Sequence, residues 1–154
     1  MITGGCLCGA VRFEIDSAPL ATRACWCRDC QYLACGNAAM NLFFASASLK
    51  VSGPTTEFVS LADSGNEMRR RFCPACGTSL FSAATCRPDA VVVRAGALDD
   101  PAPARPASFI WTASAPDWGL TDPTVPHFEH HMPASQTAPQ EAPQKEPGPA
   151  AGGD

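Results

Sequence analysis

The chain of 154 residues lacks an excess of basic residues and is poor in charge of either sign. It has 11 Lys and Arg against 15 Asp and Glu, a net charge of −4. Because nucleic-acid-binding proteins use clustered positive charge to neutralise phosphates, this balance disfavours a nucleic-acid partner. Charged residues make up only 17% of the chain, which is low for a fully solvated globular protein. Metal sites could supply part of the stability that such a chain needs.

Long hydrophobic runs are also missing. No stretch approaches the roughly 20 apolar residues of a transmembrane helix, so we expect no membrane partner. The first residues lack the basic start and apolar run of a secretory signal, so we expect a cytoplasmic protein. Thiols stay reduced there, and clustered cysteines in such a protein indicate metal binding or catalysis rather than disulfides.

The C-terminal segment 133–154 lacks aromatic residues, Val, Ile and Leu, and contains five prolines and three glycines. Such a segment cannot bury enough apolar surface to offset its ordering entropy. We therefore expect a disordered Pro/Gly/Ala-rich tail over 133–154, following one folded zinc-binding domain over 1–132. A tether is the functional alternative for the tail.

The body of the chain shows no long helical period and instead carries short β patterns. Residues 11–15 alternate between apolar and charged, which predicts a half-buried strand, and 90–93 form an apolar β-branched run typical of a buried strand. A single helical turn is predicted over 29–34. Frequent turn signals favour a mostly β protein, with further strands predicted at 41–44, 49–51, 57–61, 68–72, 78–81 and 109–112.

Seven of the nine cysteines lie in three clusters, at 6–8, 25–30 and 73–76. Thiolates one or two residues apart can converge on one tetrahedral zinc ion, with zinc–sulfur bonds of about 2.3 Å. Seven thiols make one four-thiolate site and leave three ligands over. A closed site stabilises structure, whereas a three-ligand site keeps a coordination position for chemistry. The sequence thus predicts two zinc ions with different roles; one zinc with spare thiols is the alternative.

The first and third clusters are the natural pair for the closed site, since joining distant parts of the chain is a structural role. Spacing alone leaves other pairings open. This grouping leaves Cys25, Cys27 and Cys30 for the second zinc. Three thiolates around zinc carry a net charge near −1 and favour another soft sulfur ligand. The second site is therefore predicted to bind a thiol substrate or cofactor.

Several phrases of the sequence resemble one known family. They are residues 4–11 (GGCLCGAV), 25–31 (CWCRDCQ), 72–78 (FCPACGT), 96–101 (GALDDP) and 110–114 (IWTAS). Together they are similar to the glutathione-dependent formaldehyde-activating enzyme family, which also contains centromere protein V. The resemblance implies a mostly β fold, the β-tent or Mss-four-like fold, with small coiled antiparallel sheets around two zinc sites.

The same resemblance implies roles for the cysteines and an activity. It places the structural zinc on Cys6, Cys8, Cys73 and Cys76, and the catalytic zinc on Cys25, Cys27 and Cys30. The namesake reaction condenses formaldehyde with glutathione to S-hydroxymethylglutathione and is grouped with carbon–sulfur lyases. We therefore predict a zinc-dependent lyase acting on adducts of glutathione, or a similar small thiol, with an aldehyde. The alternatives are a noncatalytic zinc module for a protein partner and a redox or metal-handling protein.

Two residues depart from the family pattern. Trp26 stands between the first two cysteines of the second cluster, where family members often carry histidine, so any role of that histidine is lost. Cys35 stands where a small residue is usual. It is predicted either to be a small buried thiol or to complete the second zinc site and close it. Cys86 has no partner in its loop and is predicted to be a free thiol.

Charged residues near the clusters have candidate roles as well. Arg28 is predicted to bind the cofactor by offsetting the anionic second site. Asp29 is predicted either to cap the helical turn that follows or to accept a hydrogen bond from an amide of the ligand loop. In the run 69–71, strand alternation places Arg69 and Arg71 on one face and Arg70 on the other. One of these arginines is a candidate for binding substrate carboxylates.

Three histidines and two tryptophans complete the candidates. A fourth ligand for the second zinc is a minor alternative for the histidines, because imidazole is a common zinc ligand. The tryptophans are predicted to pack the core, or to wall a pocket. These residues are His127, His130, His131, Trp111 and Trp118.

Overall fold

The computed structural model describes residues 1–133. The tail predicted over 133–154 therefore lies, except for its first residue, outside the described residues. The described part contains eleven strands and one short α-helix. In chain order these are β1 (Ile2–Gly5), β2 (Arg12–Ile15), β3 (Ala21–Cys25), α1 (Arg28–Leu33), β4 (Ala39–Ala45), β5 (Leu49–Ser52), β6 (Thr56–Leu61), β7 (Glu67–Phe72), β8 (Ser79–Ala84), β9 (Ala90–Arg94), β10 (Ser108–Ile110) and β11 (His127–Phe128).

The smaller sheet has three antiparallel strands in the order β1-β2-β5. Its central strand β2 follows the alternation expected from the sequence. Phe13 and Ile15 are buried, while Arg12 and Glu14 between them are exposed. The buried face of this sheet packs into the main core.

The larger sheet has eight strands in the order β11-β10-β3-β4-β9-β8-β7-β6. The run from β3 to β6 is antiparallel throughout, whereas β10 pairs in parallel with both β3 and β11. The mostly β class with antiparallel sheets is confirmed. The parallel pairs were not predicted, because they join segments far apart in sequence and leave no local signal.

The two faces of the larger sheet have different environments. In β9, Val91 and Val93 enter the main core, while Val92 and Arg94 line a cavity on the other face. The core face of β9 is strongly apolar, and burying one such side chain contributes about 1.5–3 kcal/mol. Although its sequence is a continuous apolar run, β9 therefore has one face in the core and the other face on a cavity.

Helix α1 has only six residues and depends on tertiary contacts, since isolated helices of this length are unstable. Gln31 supplies those contacts. Its buried side chain donates to the carbonyl oxygens of Trp26 (2.6 Å) and Ser114 (2.9 Å). Cys35 and Gly36 follow the helix with positive φ angles of 55° and 94°, and the Gly36 N–H returns to the Gln31 carbonyl at 2.7 Å. A left-handed turn of this kind commonly ends a helix.

Within residues 1–133, no helix is long and apolar enough to cross a membrane. Three strands, β1, β3 and β11, were not predicted. They are short and mix small or polar residues with few apolar ones, so they carry no clear period of two. Their pairing partners, rather than their own composition, hold them in the sheets.

Candidate metal centres and the adjoining cavity

The first thiol cluster joins the end of β1 to the tip of the β7–β8 hairpin. Its four sulfur atoms all lie within 4.8 Å of one another, the Cys6 and Cys8 sulfurs being 3.5 Å apart and the Cys8 and Cys73 sulfurs 3.8 Å apart. Such a group can hold one tetrahedral ion. The four ligands are Cys6, Cys8, Cys73 and Cys76.

Each half of the first cluster lies on a tight turn closed by backbone hydrogen bonds. The Gly9 N–H donates to the Cys6 carbonyl (3.0 Å), and the Gly77 N–H donates to the Cys73 carbonyl (2.9 Å). Both glycines have positive φ, 78° and 73°, a conformation that glycine adopts without steric cost. The glycine after each cysteine pair therefore lets the chain turn back so that both thiols face the same point.

Polar groups around the first cluster favour thiolates. The Val11 N–H donates to the Cys6 sulfur at 3.2 Å, and the Thr78 hydroxyl lies 3.1 Å from the Cys76 sulfur. The hydrogen bonds from the Thr78 side chain and backbone lower the pKa of Cys76 to about 5. Thiolates are the form that binds metal, so these contacts prepare the site for an ion.

The second cluster lies where β3 passes into α1. Cys25 is the last residue of β3, Cys27 precedes the helix, and Cys30 lies within it. Their three sulfurs also lie within 4.8 Å of one another. Cys25 and Cys30 are buried and Cys27 is partly buried, with Ala39 and Ile110 packed against them.

The thiols of the second cluster differ in pKa. Hydrogen bonds from Cys25 and Cys27 hold the pKa of Cys30 far below its usual value, and Arg94 and Asn41 act in the same direction. The pKa of Cys25 is raised by its hydrogen bonds to Cys27 and Cys30. Cys30 is therefore the first of the three thiols to ionise, and its environment supports a negative charge.

Both clusters fit zinc by the chemistry of their donors. One group offers four thiols and the other three, and within each group the sulfurs are close enough together to bind one ion. Among residues 1–133, neither group includes a histidine or Cys35. The second group therefore has one ligand fewer than a closed tetrahedral site, and zinc there would keep a free coordination position.

A large cavity lies on the face of the eight-stranded sheet that is turned away from the main core. Of the two clusters, only the second lines it. This cavity contains about 850 Å³ of empty space, part of it open to solvent. Its walls come from β4, β7, β8 and β9, from the loops around 62–66 and 84–87, and from residues 110–111 and 131. A thiol substrate entering it would meet the second cluster at the wall.

Three arginines give this cavity positive charge: Arg70, Arg87 and Arg94. Arg70 is buried and donates to Asp29 (2.6 Å) and Ser60 (2.5 Å). Asp29 thus pairs with Arg70 and makes no cap for α1, contrary to expectation. Alternation in β7 places Arg70 in the cavity and Arg69 and Arg71 on the opposite face, as predicted.

Comparison with known proteins agrees with this architecture. A sequence model of the family described as "Glutathione-dependent formaldehyde-activating enzyme" matches residues 1–114. The chain belongs to this family. A protein of Halomonas elongata, described as "Putative glutathione-dependent formaldehyde-activating enzyme", is 31% identical over 127 residues, covering 77% of this chain and 79% of that protein.

A crystal structure of a Rhodobacter sphaeroides protein has the same fold. It superimposes with a TM-score of 0.50 at 18% identity, covering 81% of this chain and 98% of that chain. The suspected family is confirmed by the family model and the Halomonas elongata relative, and the structural likeness shows the shared fold. The matched span of 1–114 includes all seven clustered cysteines, and their separate metal and catalytic roles remain predictions.

Trp26, the departure from the family pattern, points away from the second cluster. Its side chain is fully buried and packs with Ala24 and Phe109 in a small core on the other side of the strand. Successive side chains of an extended segment face opposite directions, so Cys25 and Cys27 face the cluster while Trp26 does not. A large apolar residue is accommodated here without entering the site.

Cys35 and Cys86 are exposed. The interpretation of Cys35 as a buried thiol is wrong, because it occupies the left-handed turn at the end of α1. Its sulfur is also outside the second group of ligands. Cys86, expected to be a free thiol, lies in a turn with its sulfur 3.2 Å from the Asn66 side-chain oxygen.

Arg28, the predicted cofactor-binding residue, does not line the cavity. Its guanidinium donates to Gln31 and lies over the Tyr32 ring, 5.3 Å from the centroid. The arginine whose charge acts on the second cluster is Arg94. Sequence reasoning missed Arg94, because the apolar run before it shows no alternation; the one local signal is a charged residue at the end of a buried strand.

The histidines and tryptophans divide between the cavity wall and the surface. His131 and Trp111 line the cavity, with their ring centroids 5.4 Å apart. Ring nitrogens of His127 and His130 donate to the backbone carbonyl oxygens of Asp122 (2.9 Å) and Glu129 (2.7 Å). Trp118 is 65% exposed, so its expected place in the core is wrong.

Proposed function

We propose that the chain is a zinc-dependent enzyme for adducts between a small acidic thiol, such as glutathione, and an aldehyde, with formaldehyde as the simplest case. The observation that carries the proposal is the three-thiol cluster at the wall of a cavity lined by arginines. Family membership supports glutathione and formaldehyde as the substrate classes. Because thiolate ligands need a reducing compartment, we also propose a cytoplasmic location.

The second cluster would hold the ion through Cys25, Cys27 and Cys30, and the first cluster would hold a structural one. Zinc in the second cluster would deprotonate a bound thiol at neutral pH. The protein residues then position the reactants. A three-thiol site with one free position accommodates the substrate sulfur, and the cavity beside it leaves room for the aldehyde.

The reaction adds a thiol across a carbonyl. The thiol loses its proton, its sulfur bonds to the aldehyde carbon, and the carbonyl oxygen takes up a proton to become a hydroxyl. The reverse reaction breaks the same carbon–sulfur bond. Since such additions proceed readily without help, positioning and thiolate formation are the contributions required of the protein.

The cavity arginines support an acidic thiol in particular. Glutathione carries two carboxylates, and guanidinium groups bind carboxylates through paired hydrogen bonds. Arg70 is already paired with Asp29. Arg87 makes no ion pair within residues 1–133. It lines the cavity and is itself exposed, so it is the arginine available to an incoming carboxylate.

A closed second site would favour the alternative, a noncatalytic zinc module. Cys35 is the residue that would close it, and the left-handed turn keeps its thiol exposed. The open arrangement supports an enzyme over a binding module. We therefore retain the enzyme as the proposal.

The full chain with two zinc ions tests this proposal. Formation of S-hydroxymethylglutathione, followed by NMR exchange measurements, is expected to be faster than in protein-free solution. Cys27→Ser should abolish the acceleration, while Cys86→Ser, a change at an exposed thiol outside both clusters, should retain it. A wild-type rate equal to the solution rate would overturn the proposal.

A second arm tests the acidic-thiol preference. Arg87→Gln is expected to raise the KM for glutathione about tenfold, since a charge-assisted hydrogen bond contributes about 1.5–3 kcal/mol. The KM for 2-mercaptoethanol, which has no carboxylate, should not change. Equal effects on both thiols would show that Arg87 does not recognise the acid group.

A further inference from the structure

Arg94 is a buried cation without a carboxylate partner in the described part of the chain. Its exposure is 9%, and none of the ion pairs within residues 1–133 includes it. Its Nε atom is buried and makes no hydrogen bond within the same residues. Because a buried charge is costly unless it is compensated, an anion is expected near it, and the second thiol cluster, which lines the same cavity as Arg94, can supply one when its thiols are ionised.

Arg94 is connected to that cluster through Asn41. The two residues lie directly opposite each other on β9 and β4, so their side chains share the cavity face of the sheet. One Arg94 nitrogen donates to the side-chain oxygen of Asn41, and another lies 3.4 Å from the Ser82 hydroxyl. Asn41 and Ser82 are both buried, so the connection is shielded from solvent.

The register of β3 and β4 brings Asn41 beside the second cluster. Ala39 lies directly opposite Cys25, and Asn41, two residues further along β4, is on the same face of the sheet. Such diagonal neighbours lie about 7–8 Å apart or closer, and Asn41, Arg94 and the three thiols line one cavity. With its oxygen engaged by Arg94, Asn41 keeps its NH₂ group as a donor on the side of the thiols.

We propose that Arg94 and Asn41 are positioning residues for the second metal centre. Asn41 supports the cluster from the β4 side, while Arg94 orients Asn41 and offsets the net negative charge that three thiolates around a divalent ion would carry. Partners behind the ligands typically change metal affinity by about 10–100-fold. The inference rests on the proposed function only in that this cluster holds a metal.

Cobalt substitution of the full chain tests the inference without an activity assay. Chelator competition gives the affinity of each site, and the thiolate-to-cobalt absorption reports on the ligand geometry. Arg94→Gln and Asn41→Ala are each expected to weaken the second site about 10–100-fold and to change its absorption. Arg94→Lys, which keeps the charge, should recover part of the affinity.

The chain provides two controls. The four-cysteine site should keep its cobalt in every variant, which also reports that the protein is folded. Arg71→Gln makes the same substitution on the opposite face of the sheet, where Arg71 donates to Thr55, and should leave both sites unchanged. If Arg94→Gln fails to fold, Asn41→Ser, a smaller polar change, tests the same link between β4 and the cluster.

The outcomes separate this inference from the proposed function. Unchanged affinity and absorption at the second site in the folded Arg94 and Asn41 variants would overturn the inference, even if the wild-type protein accelerates adduct formation. Weakened affinity in a protein that shows no acceleration would support the inference and overturn the proposed function. A wild-type chain that binds cobalt at the first site alone would overturn both.

Discussion

The two thiol clusters use the same ligand atoms in different surroundings. The first joins β1 to the β7–β8 hairpin, contains four thiols and is not part of the large cavity. The second contains three thiols, lies between β3 and α1, and forms part of the cavity wall. The first cluster includes the exposed Cys8, whereas Cys25 and Cys30 of the second are buried.

This difference separates the burial of the ligands from their number. The first cluster has the four thiols that a closed tetrahedral site needs, although Cys8 is exposed. The second has three thiols beside a cavity, although two of them are buried. Ligand count and access to a cavity, rather than burial, are therefore the grounds on which we propose a structural ion in the first cluster and a reactive one in the second.

The largest expected effect comes from breaking the first cluster with Cys73→Ser. Cys73 is fully buried and packs in the main core. A structural zinc site contributes about 10–16 kcal/mol in small peptides, while a whole domain is stable by only about 5–15 kcal/mol. We expect a largely unfolded protein without the first zinc, measured by circular dichroism and metal content. A thermal midpoint equal to that of Cys86→Ser would contradict a structural role.

Treatment with a mild chelator should distinguish the two metal sites without any mutation. With only three thiols at the cavity wall, an ion in the second cluster would be open to direct attack by the chelator, whereas an ion in the first would be enclosed by four thiolates. We expect native mass spectrometry to show a folded one-zinc protein that has lost its rate acceleration. Added zinc should restore the activity. Simultaneous loss of both ions, or earlier loss of the structural one, would contradict the distinction between the sites.

The smallest expected effect concerns an ion pair beside the first cluster. Asp99 accepts hydrogen bonds from Arg12 and Thr3, which ties the small sheet to the loop after β9. The Arg12 guanidinium, together with Thr3, lowers the pKa of Asp99 from 3.8 to about 2. The pair is exposed, so Asp99→Asn should lower the thermal midpoint only slightly.

The lowered pKa of Asp99 determines how the stability contributed by this ion pair changes with pH. The carboxylate stabilises the folded state above its ordinary pKa, and this stabilisation is lost as the pH falls through the folded value of about 2. The difference between wild type and Asp99→Asn should therefore be constant from pH 8 to about pH 5 and shrink with added salt. Glu14→Gln, on the same sheet without an ion pair in the described residues, is the control; an equal effect there would contradict a specific role.

The sequence allowed a correct prediction of local features that depend on near neighbours. The alternation of Phe13 and Ile15 with Arg12 and Glu14 defines β2, and the cysteine spacing with following glycines defines the turns of the first cluster. Residues a few positions apart are already close in space, so the pattern itself carries the geometry. The short helix near 29–34 was predicted for the same reason, and it lies at Arg28–Leu33.

Predictions failed where a side chain's direction depends on distant segments. Asp29 meets Arg70 instead of capping α1, because β7 brings that arginine to the helix. Cys35 is exposed because the helix ends in a left-handed turn whose direction the sequence does not reveal. The Asn41–Arg94 contact joins residues 53 positions apart, and no local period indicates such a pair.

The sequence by itself determined the chemistry of this protein: seven clustered thiols, their division into four and three, and the family to which the chain belongs. Those properties reside in residue type and spacing, which need no fold to be recognised. Only the tertiary structure decided which cluster faces a cavity, which arginines line it and which of them lacks a carboxylate. Sheet pairing brings those residues together across long sequence distances, and the free energy that selects one pairing is a property of the whole packed core.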